Sequence, residues 1–351
     1  MKRATLQDVA ERAGVSAGTV ANVVRGYRHV SPKMRAHVQA VIDELGYRPN
    51  RSGRTLATGR SSMIGLAFPD LRWPYFAELA HVFARTAEER GYRLLLMETG
   101  GTADGERSVL QDREAGTVDG LVMHPQTLTA VELNELRGGV PVVFLGEGSQ
   151  PVGADQTAID NVQAARDAVA HLITVGRRRI GFLGHESGAL SNTSALRLDG
   201  YRQALAAAGL PYNADLLVPR DQGDAHGAEL AVNDALDRGL VVDALLCRDD
   251  PAAIGALRAL QRRGVDVPGQ VAVVGWDATI IGESTLPSLT SVAPDTRALA
   301  ERSLDLLLER LEGYAGPGRH VTVGHRIVYR ESAPGSDSVV EADRAEQLSE
   351  G

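Results

Sequence analysis

The chain has no spacing of residues that makes and breaks bonds, and it opens on one that binds. Gly184-His-Glu-Ser-Gly188 is not a Gly-x-Ser-x-Gly nucleophile elbow. There is no Gly-x-x-x-x-Gly-Lys-[Ser/Thr] or Gly-x-Gly-x-x-Gly run, and the nine histidines show no His-Glu-x-x-His or similar ligand spacing. A single cysteine, Cys247, excludes an intrachain disulfide and a cysteine-based zinc site. We therefore expect no catalytic residue, no metal, no cofactor and no enzyme. What remains is recognition. Residues 1–60 hold eleven Lys/Arg against four Asp/Glu, a net of +7 within a chain of net charge −8, so the remainder carries −15. A small basic head on an acidic body suits a head that meets a polyanion and a body that avoids it. A solvated basic face is the plainer alternative.

The elements that would position such a head are legible. Thr5 with Asp8 resembles a variant capping box. Leu6, Val9, Ala10 and Ala13 then recur at helical spacing, and Gly14 stops the helix. Ser16 caps a second helix with Val20, Val23 and Val24 as its buried stripe. Ser31-Pro32 opens a third, with Val38, Val41, Ile42 and Leu45 facing inward and Gly46 ending it. Two short helices joined by a tight turn predict a helix-turn-helix whose second helix enters a major groove; a generic three-helix bundle shares the pattern. From Ser62 the pattern changes. The apolar runs MIGLAFP, YRLLLME, VDGLVMH and PVVFLG, then RIGFLG, DALLCR and VAVVGW, alternate with helical stretches. That alternation predicts parallel sheets covered by helices, in two series split near Asp160-Asn161. At 43% apolar and only 4% aromatic residues, the core must be built mainly from Ala, Val, Leu and Ile. No long apolar run follows Met1-Lys2-Arg3 and no run of about 18 apolar residues occurs anywhere, so we expect no signal peptide, no membrane span and a cytoplasmic protein.

The pattern T-L-x-D-V-A-x-x-A-G-V-S-x-x-T-V, then V-S, then L-G-Y-x-P-N, resembles the headpiece of the lactose-repressor/galactose-repressor (LacI/GalR) family of bacterial transcription regulators, and the resemblance continues to about Pro334. It implies an all-α helix-turn-helix headpiece plus an α/β periplasmic-binding-protein-like core of two Rossmann-like subdomains. The implied boundaries are a headpiece over 1–46 and a hinge over 47–61. The N-terminal subdomain takes 62–160 and 291–324, and the C-terminal subdomain 161–290 and 325–334. An acidic tail over 335–351 is expected to be disordered. The implied partners are an operator in double-stranded DNA, a small-molecule effector and a second copy of the chain. The tail lacks sustained leucine heptads, so a dimer is expected rather than a tetramer.

By the same resemblance, Ala17, Gly18 and Asn22 reach base edges. Ala17 could touch a thymine methyl, Gly18 can only allow close approach, and Asn22 suits a bidentate contact with adenine N6 and N7. Many family members have Ser-Arg where this chain has Ala21-Asn22, so a different operator is expected. Thr5, Ser16, Thr19 and Asn50 are candidate phosphate contacts, and His29 and Arg51 stand among the groups nearby that supplement them. Leu56 is the expected minor-groove wedge of the hinge. Gly53 stands where the family usually has alanine.

In the body, RWPYFAEL matches the family's aromatic segment, so Trp73, Tyr75 or Phe76 could stack on an effector ring; for Phe76, core packing is an equal alternative. Arg197 matches an effector-binding arginine whose guanidinium can clamp vicinal hydroxyls or a carboxylate. Asp249 is the expected effector contact, Asp250 the expected helix cap, and Asp277 a further polar position in the cleft. Paired carboxylates with an arginine suit a polyhydroxylated ligand, hence a sugar. The chain departs from the family at Ala225-His226, at Ala293-Pro294 and at Gly146-Glu147, which leaves a non-sugar effector such as a nucleobase open. Whether effector releases the protein from DNA or tightens it there is also open. A sugar-binding receptor would share the body's fold but needs an export signal and no headpiece.

Overall fold

The computed structural model describes residues 4–24, 27, 29–47, 60–112, 116–136, 138–148, 151, 153–186, 191–220 and 223–335. The chain divides into two compact units, Met1–Ser62 and Met63–Gly351. The expected wedge Leu56, with Asn50, Arg51 and Gly53, lies outside the described residues, as does the tail from 336 onward.

The first unit contains helices α1 (Leu6–Ala13), α2 (Ala17–Val24) and α3 (Pro32–Glu44). The start of α1 is a capping box: Thr5 Oγ1 accepts from the Asp8 amide at 3.2 Å and the Asp8 carboxylate accepts from the Thr5 amide at 2.7 Å. Gly14, at φ 65°, closes α1 in the left-handed conformation that a Cβ disfavours. Ser31 caps α3, with Pro32 at its first turn. Val9, Ala10, Val20, Val23, Val38 and Ile42 pack into one small core. Two expectations need correction. Val24 is exposed, because the stripe of α2 is already filled by Val20 and Val23. Tyr47, expected to open the hinge, is buried in this core and donates its amide to Ile42, so the packed unit reaches at least that far.

The second unit has two six-stranded sheets. In chain order the strands of the first are β1 (Met63–Phe68), β2 (Arg93–Glu98), β3 (Gly120–Met123), β4 (Val142–Leu145), β5 (Asp155–Ile159) and β11 (His320–Val323), arranged β11-β5-β4-β3-β1-β2, all parallel. The second holds β6 (Ile180–His185), β7 (Leu217–Pro219), β8 (Ala244–Cys247), β9 (Ala272–Trp276), β10 (Thr290–Pro294) and β12 (His325–Val328), arranged β12-β10-β9-β8-β6-β7, with only β12 antiparallel. Each order reverses direction beside its first strand, between β1 and β3 and between β6 and β8. That is the switch point where doubly wound sheets open a crevice at their carboxyl ends.

The chain passes between the sheets after β5, after β10 and after β11. The second crossing falls later than the expected 291, because β10 pairs with β9 and β12 as far as Pro294. Only then does helix Thr296–Leu311 cross to the first sheet, where Ser303 Oγ meets Thr157 Oγ1 at 2.6 Å and Arg310 clasps buried Asp155 at 2.8 and 3.0 Å. The second and third crossings lie side by side, joined by the Asp295 amide donating to Gly324 O at 3.0 Å. A core of Phe68, Phe83, Phe182, Tyr201, Trp276 and many alanines and leucines runs through the unit. Among the described residues, no helix is long and apolar enough to cross a membrane.

Candidate functional site

In the first unit, α2 carries the expected base-reading residues. Ala17 is half-buried and packs against the small core, so only part of its methyl is available. Gly18 is exposed, and a Cβ built on it would meet only Ser16 Oγ, at 3.6 Å. The backbone there can approach a surface closely without being forced to be glycine by its own fold. Asn22 sits one turn further along, half-exposed. Ser16 Oγ accepts the Thr19 amide at 3.1 Å and lies 2.9 Å from Thr19 Oγ1, so both hydroxyls gather at the helix start. A helix start presents unpaired amides and a partial positive charge, which favours an anion such as phosphate. Thr5 is tied into its own capping box, and His29 packs against Tyr27 with ring centroids 5.3 Å apart.

In the second unit a cavity of about 490 Å³ lies at the carboxyl ends of both sheets. The segments that follow β1, β3 and β4 line one side, and those that follow β6, β8 and β9 the other. The cavity brings together all six expected effector residues: Trp73, Tyr75, Phe76, Arg197, Asp249 and Asp277. Its size is that of a small-molecule site.

Each residue has a local reason for its place. Trp73 precedes the helix Pro74–Glu89 and lies against Gly223, where an added Cβ would come 2.8 Å from the ring. Phe76 is buried, stacked 5.0 Å from Phe68 and edge-on to His124 at 5.2 Å, so it serves core and wall together. Burial, with the charges of Asp277 and Glu147 behind it, pushes the Tyr75 hydroxyl up, so it stays a donor. Burial likewise holds His124 down at about 4, a neutral ring at pH 7. Gly146, at φ 78°, lets the chain pass that ring: a Cβ there would fall 2.8 Å from His124 Nε2.

Arg197 is held by three groups. Its Nε donates to Asn161 Oδ1 at 2.7 Å, one Nη donates to the Arg248 carbonyl, and its plane lies 3.9 Å from the centroid of buried Trp276. Burial lowers its pKa against the opposing pull of Asp277 and Glu147.

The two adjacent carboxylates depart from their expected roles: Asp249 takes the cap and still lines the cavity, and Asp250 lines no part of it. Asp249, not Asp250, caps the helix Asp250–Arg262, accepting from the Ala252 amide at 2.8 Å. It also receives both Nη atoms of Arg220 at 3.0 and 2.5 Å, and Arg248 Nε at 3.2 Å. Burial raises its pKa, but Arg220 and Arg248 outweigh that and leave it below the usual carboxylate range. Asp250 lies inside the helix, facing β10. It accepts from the Thr279 amide at 2.7 Å, Thr279 Oγ1 at 2.8 Å and Ser291 Oγ at 2.7 Å. Those bonds brace a strained turn, in which Asp277 and Ala278 take φ values of 101° and 51° in succession. Strain of that kind persists where surrounding bonds over-determine it. Here it aims Asp277 into the cavity, where burial raises its carboxyl well above the usual value despite Arg197.

Several residues in or behind the cavity wall were not among the effector contacts expected from sequence. Arg248 joins Glu186 at 2.5 Å, and Glu147 binds Thr193 Oγ1 at 3.3 Å and the Asn161 amide, linking the two sides. Buried Glu106 accepts from the amides of Gln126, Thr127 and Leu128 at 2.6, 3.1 and 2.9 Å, fixing the lining loop after β3. Glu78 accepts from the Ile280 amide at 2.9 Å, a further bond between the two sides. Strand-end position was the available signal for Arg248 and Glu147; nothing local marks Glu106 or Glu78.

The arrangement resembles known proteins along its whole length. Residues 5–50 match the family model described as bacterial regulatory proteins, lacI family, and residues 169–333 match a periplasmic binding protein-like domain. The HTH-type transcriptional regulator AscG of Escherichia coli (strain K12) is 35% identical over 314 residues, which is 88% of this chain and 92% of that protein. The lac repressor dimer bound to operator and the anti-inducer ONPF superposes with a TM-score of 0.83 at 28% identity, covering 95% of this chain and 100% of the other. A complex of the transcriptional regulator CelR with cellobiose does so with a TM-score of 0.69 at 30% identity, covering 94% and 100%. With its helix-turn-helix unit and two-sheet core, the chain belongs to the LacI family of bacterial transcriptional regulators.

Proposed function

We propose that this regulator is a cytoplasmic, non-enzymatic repressor that binds a near-palindromic operator as a dimer and answers to a sugar held between its two sheets. The observation that carries the effector half is the cavity itself. Arg197, Asp249 and Asp277 converge there with Trp73, Tyr75 and Phe76, the mixture of polar groups and ring faces that a sugar needs. The cellobiose complex of CelR and the operator-bound lac repressor dimer support the same reading by likeness.

In this reading Asn22 contacts adenine, and Ala17 and Gly18 allow close approach. Thr5, Ser16, Thr19 and Asn50 meet phosphate, with His29 and Arg51 nearby, and Leu56 enters the minor groove at the operator centre. Effector acts by binding one arrangement of the two sides more tightly than another, which is the only way a ligand shifts such an equilibrium.

The test is selection of binding sites from randomised double-stranded DNA at physiological salt, using the purified protein. Enrichment of a two-fold symmetric site, lost or strengthened on adding a sugar, is the expected result. Enrichment of an asymmetric single half-site, or no enrichment with or without sugars, overturns the proposal.

A further inference from the structure

Resting on that reading of the cavity, we infer that Glu78 is its positioning residue. By holding the Ile280 amide across the crevice, Glu78 sets the spacing at which Tyr75 on one wall and Asp277 on the other face the effector. The turn after β9 presents four successive amides, each with an acceptor. Asp277 donates to Val292 O at 2.8 Å, Ala278 to Ser291 Oγ at 3.0 Å and Thr279 to Asp250 Oδ2 at 2.7 Å. Those three acceptors belong to the second sheet's side, so the turn moves with that side as one body. The fourth amide, of Ile280, donates to Glu78 Oε1 at 2.9 Å, and Glu78 belongs to the first sheet's side.

The turn does not supply that acceptor itself. Ile280 opens the short helix Ile280–Glu283, and a helix start leaves its first amides without partners in the helix. Thr279, at the cap position, makes no side-chain cap bond; its hydroxyl is turned to Asp250 Oδ2, 2.8 Å away. Glu78 reaches the amide from across the crevice, and a carboxylate on an amide makes a charge-assisted bond. The side chains of Ile280 and Ile281 turn outward, 67% and 46% exposed, so the fastening rests on that bond.

Both ends of the bond are tied to the cavity. Glu78 lies one turn beyond Tyr75 on the helix Pro74–Glu89, and positions three apart on a helix share a face. That helix moves with the first sheet, because Phe76, Leu79 and Phe83 are buried in the core and Phe76 stacks on Phe68 of β1. Ile280 lies three residues beyond Asp277, on a turn without slack: Asp277 and Ala278 stand at φ 101° and 51°, and Asp250 grips Thr279 twice. Tyr75 and Asp277 both line the cavity. Tyr75, Glu78, Ile280 and Asp277 thus form a closed circuit that fixes the width of the cavity at that point. A ligand that touches both walls loses less on binding when their spacing is already set. The same helix begins beside Trp73, whose ring rests against Gly223 on another strand end of the second side. Losing the Glu78 bond lets the two contacts part together.

The experiment compares the full chain with Glu78→Ala and with Glu78→Gln, which keeps an acceptor oxygen at nearly the same reach. Amide hydrogen exchange reads the Ile280 amide. Acrylamide quenching of fluorescence reads Trp73, because the other of the two tryptophans, Trp276, is fully buried. In Glu78→Ala, checked for a native unfolding transition, exchange at Ile280 is expected to speed up by at least about fivefold and Trp73 quenching to rise by roughly twofold, the loss of one such hydrogen bond. Glu78→Gln is expected to restore most of both. Unchanged exchange at Ile280 in folded Glu78→Ala overturns the inference. So does faster exchange with unchanged quenching, which makes Glu78 a local partner of one turn and nothing more, and so do equal changes in Glu78→Gln. Neither readout uses a ligand, so failure here leaves the sugar reading intact; if both readouts hold and no sugar alters DNA binding, the spacing stands and the sugar reading fails.

Discussion

Removing the Asp249 side chain is expected to be among the costliest single changes to the core, for reasons that have nothing to do with a ligand. The Arg220 and Asp249 side chains retain only 1% and 5% of their exposure, and their two contacts are 3.0 and 2.5 Å. Asp249→Ala leaves the Arg220 guanidinium buried without its counter-charge, a loss of about 3–5 kcal/mol. It also removes the cap of the helix Asp250–Arg262, worth about 1 kcal/mol. The sum is roughly 5 kcal/mol, comparable with the whole stability of many domains. Arg220→Met should cost less, because Asp249 keeps Arg248 Nε and the Ala252 amide. The double variant Asp249→Ala/Arg220→Met buries no orphan charge and should be more stable than Asp249→Ala alone.

Urea unfolding of the four proteins gives the cycle, provided their m-values agree. A coupling of at least about 2 kcal/mol is expected. The effect should also fade in acid. The folded-state pKa of Asp249 lies below its unfolded value, so its contribution is present above the ordinary carboxylate range and is lost as pH falls through the folded value. If Asp249→Ala costs under about 1.5 kcal/mol at neutral pH, or the two changes are additive, the buried pair is not the anchor argued here.

Two buried groups should titrate with opposite signs. Burial holds His124 at about 4, so its share of stability grows as pH rises from 4 to its unfolded value near 6.5; burial raises Asp250 to about 6, so its share is lost as pH rises from 4 to 6. Each is worth at most about 3 kcal/mol, and His124→Asn should tilt the pH–stability curve downward with rising pH, which urea midpoints from pH 4 to 7 will show. Arg197→Ala should abolish the response to effector while operator affinity in a gel-shift titration stays within about threefold, under about 1 kcal/mol. Leu56→Ala should weaken operator binding more than non-specific binding; equal losses would remove the wedge assignment. Thr5→Ala breaks the capping box of α1 and should cost the first unit about 1 kcal/mol, read from its thermal unfolding.

The first unit was nearly all legible because its signals are local. A cap, a stripe and a stop between Thr5 and Gly14 decide α1, and the Thr5–Asp8 and Ser31–Pro32 starts stand as expected. Val24 was misassigned because helical spacing marks a face but not how much of it a three-helix core can cover. In the second unit the long apolar strands were visible. The short ones, such as Leu217–Pro219, and polar Asp155–Ile159 were not, since their pairing comes from neighbours rather than from their own composition.

The cavity shows the same division more sharply. Arg220 and Arg248 are 28 positions apart, and nothing in their own neighbourhoods pairs them. They converge because β7 and β8, the strands that deliver them, both flank β6, so their ends share one side of the crevice. That Asp249 rather than Asp250 takes the cap has the same origin. A residue just after a strand and just before a helix is a natural cap, and both fit that description. What separates them is that the residue inside the first turn points back to the sheet, where Thr279 and Ser291 wait with three donors. That carboxylate therefore braces the strained turn carrying Asp277, and the strand order, rather than the pair of aspartates by itself, determines which one meets the ligand's side of the wall.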